Sequence, residues 1–276
     1  MALYDDVSAL MRRVAADVLV PRFRRLSPGE VSEKSPGEIV TCADLESERR
    51  LAEGLSRLCP AARVIGEEAA AADPGLLDCA DRGIAWLIDP LDGTGNYASG
   101  RAPFGMMVAL IGNGVPQMGW ILDPLTGRMC FAERGQGAMW NERPVKARST
   151  GRTRPVAALG THFLPVEQRE RVHRVAAPHF DRVPVPMCAA ETYPRVAFGQ
   201  NDIAMFQRIL PWDHAAGALF VSEAGGIVTH WDCSPYRVGG PGKGVLIAAG
   251  RREWDLAADI LLGPAAGLVE GERYAA

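Results

Sequence analysis

The chain has 276 residues, of which 47% are hydrophobic and 23% are charged, a composition that excludes wholesale disorder and a coiled coil. Its formal net charge is −3, so no overall positive field favours a nucleic acid polymer or an anionic membrane as a partner. No apolar run reaches the length of a membrane-spanning helix, and the first segment lacks the apolar core of an export signal. The six cysteines form no C-x-x-C pair, which indicates reduced thiols. We therefore expect a cytoplasmic protein with no membrane partner.

The N-terminal region is predicted to be mostly helical. Residues 1–25 place apolar side chains at helical spacing with charges between them, which predicts an amphipathic helix. A polar loop is expected over residues 27–37. A second helix is predicted over residues 41–58, with Leu45 on its buried face.

A sheet is predicted to follow. The apolar run at 85–88 predicts a buried strand, and the alternation of short apolar runs with turn signals over 105–141 predicts an antiparallel meander. The segment 143–155 is basic, polar and poor in apolar residues, which is typical of a connector between lobes. We therefore predict an N-terminal α+β lobe over 1–150 and a C-terminal α/β lobe over 151–276.

In the C-terminal lobe, helical and strand patterns alternate. Such alternation predicts a layered α/β fold. Helices are expected over 165–177, 212–223 and 253–262, and strands over 183–186, 203–206, 227–231 and 245–249.

The most informative motif is the hexapeptide DPLDGT at 89–94, directly after the predicted buried strand. The proline blocks a regular helix and Gly93 relaxes the backbone, so the carboxylates of Asp89 and Asp92 and the Leu91 carbonyl can converge. Two close carboxylates repel each other and require a cation, and oxygen ligands select hard ions such as Mg²⁺ or Mn²⁺. The alternative is a turn held by an aspartate side chain, without a metal.

Two other acidic motifs occur at the ends of apolar elements. The string IGEE at 65–68 places two adjacent acids after an apolar pair, one predicted to face inward and the other solvent. The string PWD at 211–213 opens a helix, where Asp213 is either a metal ligand or the helix N-cap. Together the three motifs suit a metal site assembled from distant segments.

The strings IGEE at 65–68, DPLDGT at 89–94 and PWDHAAG at 211–217 resemble the inositol monophosphatase family of Mg²⁺-dependent, lithium-sensitive phosphomonoesterases. The resemblance covers most of the chain. It implies an α-β-α-β-α sandwich with an antiparallel meander in the N-terminal half. It also implies two or three Mg²⁺ ions, replaceable by Mn²⁺, held by Glu67, Asp89, the Leu91 carbonyl, Asp92 and Asp213.

The resemblance further implies how water attacks a small sugar or polyol phosphate. Glu67, and Thr94 paired with Asp44, would orient or deprotonate the water, with in-line displacement and no phosphoenzyme. Asp44 also stands at capping-box spacing from Thr41, and the two roles are compatible. The implied substrate contacts are Asp92, Gly93, Thr94, Ala189 and Asp213.

Substrate identity is less well defined than the reaction. Members of the family that act on inositol phosphate have a glutamate seven positions before the aspartate of the W-D motif, where this chain has Phe206. Their Gly-Ser/Thr-Ala stretch is Met187-Cys188-Ala189 here. Phe206 is alternatively a core strand residue. An inositol-1-phosphate-like substrate is therefore one candidate, with fructose 1,6-bisphosphate, histidinol phosphate and a 3′-phosphorylated nucleotide as the others. The resemblance also implies a homodimer.

Three competing interpretations concern the same motifs. The string LDGT at 91–94 resembles part of the haloacid-dehalogenase signature, but Pro90 stands where the nucleophilic aspartate is required. The glycines at 93–98 resemble a dinucleotide fingerprint, but the expected acid about 20 residues later is absent. The alternative of a different class is a regulatory or binding protein on the same fold with weak catalysis.

Overall fold

The computed structural model describes residues 2–35, 37–240 and 242–268. The chain starts with a helical segment, a hairpin and a long helix. The hairpin corrects the predicted polar loop: its first strand is largely solvent-exposed on both faces and therefore lacks an alternating apolar pattern. These elements are α1 (Ala2–Val14), a π-helical turn (Ala15–Leu19), α2 (Val20–Arg22), a 3₁₀ turn (Pro28–Glu30), β1 (Val31–Ser35), β2 (Glu38–Thr41) and α3 (Cys42–Leu58).

A seven-stranded sheet forms the next layer, with β3 parallel to β4 and an antiparallel meander from β4 to β9. The predicted meander is confirmed, and the predicted strand at 85–88 is longer than expected because it continues into the acidic hexapeptide. The elements are β3 (Arg63–Gly66), α4 (Glu67–Ala72), a 3₁₀ turn (Pro74–Cys79), β4 (Ile84–Asp92), α5 (Thr94–Ala98), β5 (Gly105–Gly112), β6 (Val115–Leu122), β7 (Met129–Glu133), β8 (Gly137–Trp140) and β9 (Arg143–Val145).

The second sheet has five strands in the order β11-β10-β12-β14-β13. Its predicted elements are confirmed, except that the strand expected at 183–186 lies earlier in the chain and that α7, with Pro194 inside it, was not predicted. The elements are β10 (Val156–Gly160), α6 (Val166–Ala176), β11 (Asp181–Val183), α7 (Ala189–Ala197), β12 (Ile203–Phe206), α8 (Pro211–Glu223), β13 (Ile227–His230), β14 (Val245–Ala248), α9 (Arg251–Ala257) and a π-helical turn (Ala258–Leu262).

Three apolar clusters fill the spaces between five layers. One cluster joins α1 and α3 to the seven-stranded sheet, the second joins that sheet through α7 and α8 to the five-stranded sheet, and the third joins the latter to α6 and α9. The α-β-α-β-α sandwich is therefore confirmed. The boundary between lobes at residue 150 stays a prediction.

Helix packing explains two details of the sequence. On α3, Leu51 and Leu55 are buried against the sheet, whereas Leu45 is 55% exposed, so its predicted place on the buried face is wrong. On β6, a Cβ at Gly119 would lie 2.8 Å from the Cα of Ala216 in α8. Glycine is therefore needed where the strand and the central helix come into backbone contact.

The sequence predicts reduced cysteines and no membrane-spanning helix. The thiols of Cys42, Cys59, Cys130 and Cys188 are not in disulfides. Among the described helices, none is both long enough and apolar enough to cross a lipid bilayer.

Candidate functional site

Three acids from separate elements converge at one edge of the seven-stranded sheet. Gly66 pairs with Ile88 in parallel β3 and β4, so the residues that follow, Glu67 and Asp89, lie side by side where β3 ends. Asp213 reaches them from the first turn of α8. One carboxylate oxygen from each of the three lies within 4.8 Å of the others. The N-cap of α8 is Leu210, so the interpretation of Asp213 as an N-cap is wrong.

Asp92 lines the same cavity but lies outside this tightest group. The pairing of β4 with β5 shifts register between Asp89 and Asp92, and Gly93 follows at a positive φ of 83°. This irregular turn needs glycine because an L side chain at that φ is strained. The Asp92 Oδ2 atom accepts a hydrogen bond from the Ala190 amide at 2.6 Å, which ties the turn to the start of α7.

The acids destabilise one another as charged groups. Burial raises the pKa of Asp89 well above its ordinary value, and the charges of Glu67 and Asp92 raise it further. Burial and the same two neighbours also raise the pKa of Asp213. Burial raises the pKa of Asp92 to about 6. A cluster of this kind is stable in its charged form only beside positive charge.

Lys34 of β1 supplies one such charge. Its Nζ atom lies 2.6 Å from Glu67 Oε1 and 2.9 Å from Glu68 Oε1. Burial alone lowers the pKa of Lys34, but the two glutamates outweigh it and raise that pKa above its ordinary value. The prediction that one acid of the pair faces solvent is wrong, because the Glu68 side chain is only 7% exposed. Burial raises the pKa of Glu68 to about 7.

Glu48 of α3 fixes the turn that carries Glu67. Its carboxylate accepts the amides of Glu68 and Ala69, both at 2.8 Å, and so satisfies donors at the start of α4. A Cβ at Gly66 would lie 2.2 Å from the Glu48 Cδ atom, which explains the glycine before the acids. Sequence reasoning missed Glu48, although its position four residues after Asp44 on a predicted helix puts both acids on one face.

Asp44 and Thr94 form the predicted pair. The Thr94 Oγ1 atom lies 3.0 Å from Asp44 Oδ1 and 2.9 Å from the Leu91 carbonyl oxygen. The other Asp44 oxygen accepts the Thr41 amide at 2.8 Å and the Thr41 hydroxyl at 2.6 Å, which completes the capping box of α3. The helix cap and the contact with Thr94 therefore coexist. Burial raises the pKa of Asp44 to about 6, against the lowering effect of the Thr41 hydrogen bonds.

The chemistry of the cluster fits a hard divalent cation. The three converging ligand atoms are all carboxylate oxygens, the donors that Mg²⁺ and Mn²⁺ prefer. Burial and the neighbouring charges raise the pKa values of Asp89 and Asp213, a penalty that a bound cation removes. The described residues thus fit the ions that the sequence implies.

The predicted substrate contacts line one cavity of about 690 Å³ with the acids. Gly93, Thr94 and Ala189 all lie on its wall. Phe206 is the last residue of β12, its ring stacks on that of Tyr193 with the centroids 5.9 Å apart, and it also lines the cavity. Its effect on substrate choice stays a prediction.

The fold and the acidic cluster define a layered α/β protein with a candidate metal centre. The chain belongs to the inositol monophosphatase family, since the family profile matches residues 4–262. A Xylella fastidiosa relative named Nus factor SuhB is 34% identical over 226 residues, 78% of each chain. A Thermotoga maritima fructose-1,6-bisphosphatase/inositol-1-monophosphatase is 31% identical over 81% of this chain and 83% of its own. The solved structure of a Thermotoga maritima IMPase matches with a TM-score of 0.78 at 27% identity, covering 97% of both chains.

Proposed function

We propose that the protein is a metal-dependent phosphomonoesterase that hydrolyses a small phosphate ester. The observation that carries the proposal is the convergence of Glu67, Asp89 and Asp213 in a cavity that Thr94 also lines, with the buried Asp44 hydrogen bonded to Thr94. The cavity is large enough for a phosphorylated sugar or polyol. Membership of the family supports the same reaction.

The acids supply the ligands in this proposal. When bound, Mg²⁺ neutralises a phosphate monoester and lowers the pKa of a coordinated water. Glu67 would also orient the water. Glu48 fixes the start of α4 that carries Glu67, and Lys34 holds its carboxylate directly. The ligands would be Glu67, Asp89, the Leu91 carbonyl, Asp92 and Asp213.

Thr94 and Asp44 move the proton. A hydroxyl has one hydrogen, so Thr94 Oγ1 can donate to Asp44 Oδ1 while a lone pair accepts a proton from water. Asp44, with a pKa of about 6, is ionised at neutral pH and basic enough to receive the Thr94 proton as Thr94 takes one from the water. The backbone amides of Gly93 and Thr94 would then donate to phosphate oxygens. No group of the chain needs to bond covalently to phosphorus.

Phosphate release with and without Mg²⁺ tests the proposal. The panel is inositol 1-phosphate, fructose 1,6-bisphosphate, histidinol phosphate and a 3′-phosphorylated nucleotide. We expect release from at least one ester with Mg²⁺ or Mn²⁺, none in EDTA, and a loss of at least 100-fold for Asp89→Asn. The exposed-site control Asp255→Asn should retain full activity. Full activity in EDTA, or a trapped phosphoprotein, would contradict the mechanism.

The name of one relative, Nus factor SuhB, supports a second candidate function, that of a regulatory or binding protein on this fold. Its discriminating outcome is a protein that binds Mg²⁺ but releases no phosphate from any ester in the panel. A homodimer and a cytoplasmic location are further parts of the proposal, and light scattering tests the former independently of the chemistry.

A further inference from the structure

The cavity that contains the acids also carries positive charge. Arg208 and Arg101 both line it, and the only acid beside Arg208 among the described lining residues outside the metal centre is Glu38. Outside the metal centre, the described lining residues therefore include one carboxylate and two guanidinium groups, besides Lys34, which pairs with Glu67 and Glu68. Neither arginine has a role in the proposed hydrolysis.

Arg208 is held in place from three sides. Its Nη1 atom donates to Glu38 Oε1 on β2. Its Cζ atom lies 4.7 Å from the centre of the Phe163 ring, a cation–π contact. The His214 ring on α8 holds the backbone, with Nε2 2.9 Å from the Arg208 carbonyl oxygen.

The guanidinium keeps donors for a ligand. Of its nitrogens, only Nη1 has a protein acceptor in the described ranges, so Nε and Nη2 remain available on a side chain that is 38% exposed. Arg101 follows α5 and has no ion-pair partner in the part of the chain that the structure describes. A planar guanidinium fixed by a carboxylate and an aromatic ring is a preorganised receptor for phosphate or carboxylate.

The remaining wall favours some substrates over others. Phe206, Met187 and Val185 line the cavity without hydrogen-bonding side-chain groups. The hydroxyls of a neutral polyol would find no acceptors on these three side chains, whereas Ser35, Asn96, His162 and Gln207 elsewhere on the lining can bind hydroxyls. The ammonium group of histidinol phosphate would be repelled by the two arginines. A second anion on the substrate is the group that this wall complements.

Resting on the proposed phosphatase function, we propose that Arg208, assisted by Arg101, binds a second anionic group of the substrate. The substrate class is thus a phosphate monoester that carries a further phosphate or carboxylate. Arg208 is a specificity-determining residue, and the acids remain responsible for hydrolysis.

The test compares specificity ratios in wild-type protein, Arg208→Gln and the exposed-arginine control Arg252→Gln. Substrates with a second phosphate are fructose 1,6-bisphosphate and 3′-phosphoadenosine 5′-phosphate, 3-phosphoglycerate carries a carboxylate, and inositol 1-phosphate has one anion. We expect kcat/KM of the wild type to be highest for an ester with two anions. The quantity compared is the kcat/KM for that ester divided by the kcat/KM for inositol 1-phosphate. Arg208→Gln should lower this ratio by roughly 10- to 100-fold, and Arg252→Gln should leave it unchanged. The preferred ester identifies the second anion as phosphate or carboxylate.

Calorimetric binding to Ca²⁺-loaded protein provides a readout without turnover. Tighter binding of a two-anion ester than of inositol 1-phosphate, lost in Arg208→Gln, supports the subsite even if no ester is hydrolysed, in which case only the proposed phosphatase function fails. Hydrolysis with a ratio that Arg208→Gln does not change overturns the subsite and leaves the phosphatase function intact. Preference for inositol 1-phosphate or histidinol phosphate in the wild type also overturns it.

Discussion

The substitution Asp44→Asn separates two roles of the buried Asp44 carboxylate, the capping of α3 and the acceptance of a proton from Thr94. Asp44 is fully buried, and its pKa is raised from 3.8 to about 6. At 1.36 kcal/mol per pKa unit, keeping this group charged at pH 7 costs the folded state roughly 3 kcal/mol. An asparagine carries no charge. Its oxygen can accept both Thr41 donors, and its amide can donate to Thr94, whose hydroxyl then donates to the Leu91 carbonyl.

We therefore expect the variant to be more stable than the wild type and nearly inactive. In EDTA at pH 7.5, thermal unfolding should shift upward by about 2–6 °C for a gain of about 1–3 kcal/mol. Phosphate release should fall about 10²- to 10⁴-fold, because Thr94 then faces an amide that cannot take up a proton.

The difference in stability between Asp44→Asn and the wild type should depend on pH. The raised pKa means that the folded wild type holds the Asp44 proton more tightly than the unfolded chain does. Its penalty is absent below pH 3.8, grows between pH 3.8 and about 6, and is complete above that. The advantage of Asp44→Asn should follow the same course. A variant less stable than the wild type at pH 7.5 would refute the stability argument. A variant with full activity would refute the proton transfer and leave Asp44 as a helix cap only.

Three further predictions address the metal centre. Glu48→Ala leaves the amides at the start of α4 without their acceptor, so it should lower the free energy of unfolding by about 2 kcal/mol. It should also weaken Mg²⁺ binding in calorimetry. The control Glu53→Ala, on the exposed face of α3, should have neither effect. Gly66→Ala should reproduce this phenotype because its Cβ displaces the Glu48 carboxylate, and wild-type Mg²⁺ affinity in this variant would contradict the packing argument. Protons compete with Mg²⁺ for Asp92, whose pKa is about 6, so Mg²⁺ should raise the unfolding temperature more at pH 7.5 than at pH 5.5. In the absence of metal, the stability of the folded protein should fall as the pH rises through 6. Equal shifts of the unfolding temperature at both pH values would contradict the assignment of these acids as Mg²⁺ ligands.

Elements with strong local signals were predictable from the sequence. The capping box at Thr41 and the regular turns of the meander fix their own boundaries, and the acidic motifs name the residues that converge in the cavity. These signals depend on residues that are close together in the chain. The α-β-α-β-α layering came from the family resemblance rather than from these patterns.

Features that depend on distant contacts were not predictable. β1 is polar and pairs only with β2, so no apolar pattern marks it, although it carries Lys34 to the acids. α7 forms in spite of Pro194 because its buried face packs between the two sheets. Glu48 looks like any surface acid of an amphipathic helix until folding places it under Gly66.

Anomalous diffraction from a crystal of the protein soaked in Mn²⁺ tests the central claim most directly. The account predicts strong peaks within coordination distance of the carboxylates of Glu67, Asp89 and Asp213, with the first two held by the ends of β3 and β4 as described. Peaks elsewhere with none at these side chains, or carboxylates that turn away from one another in the soaked crystal, would contradict it.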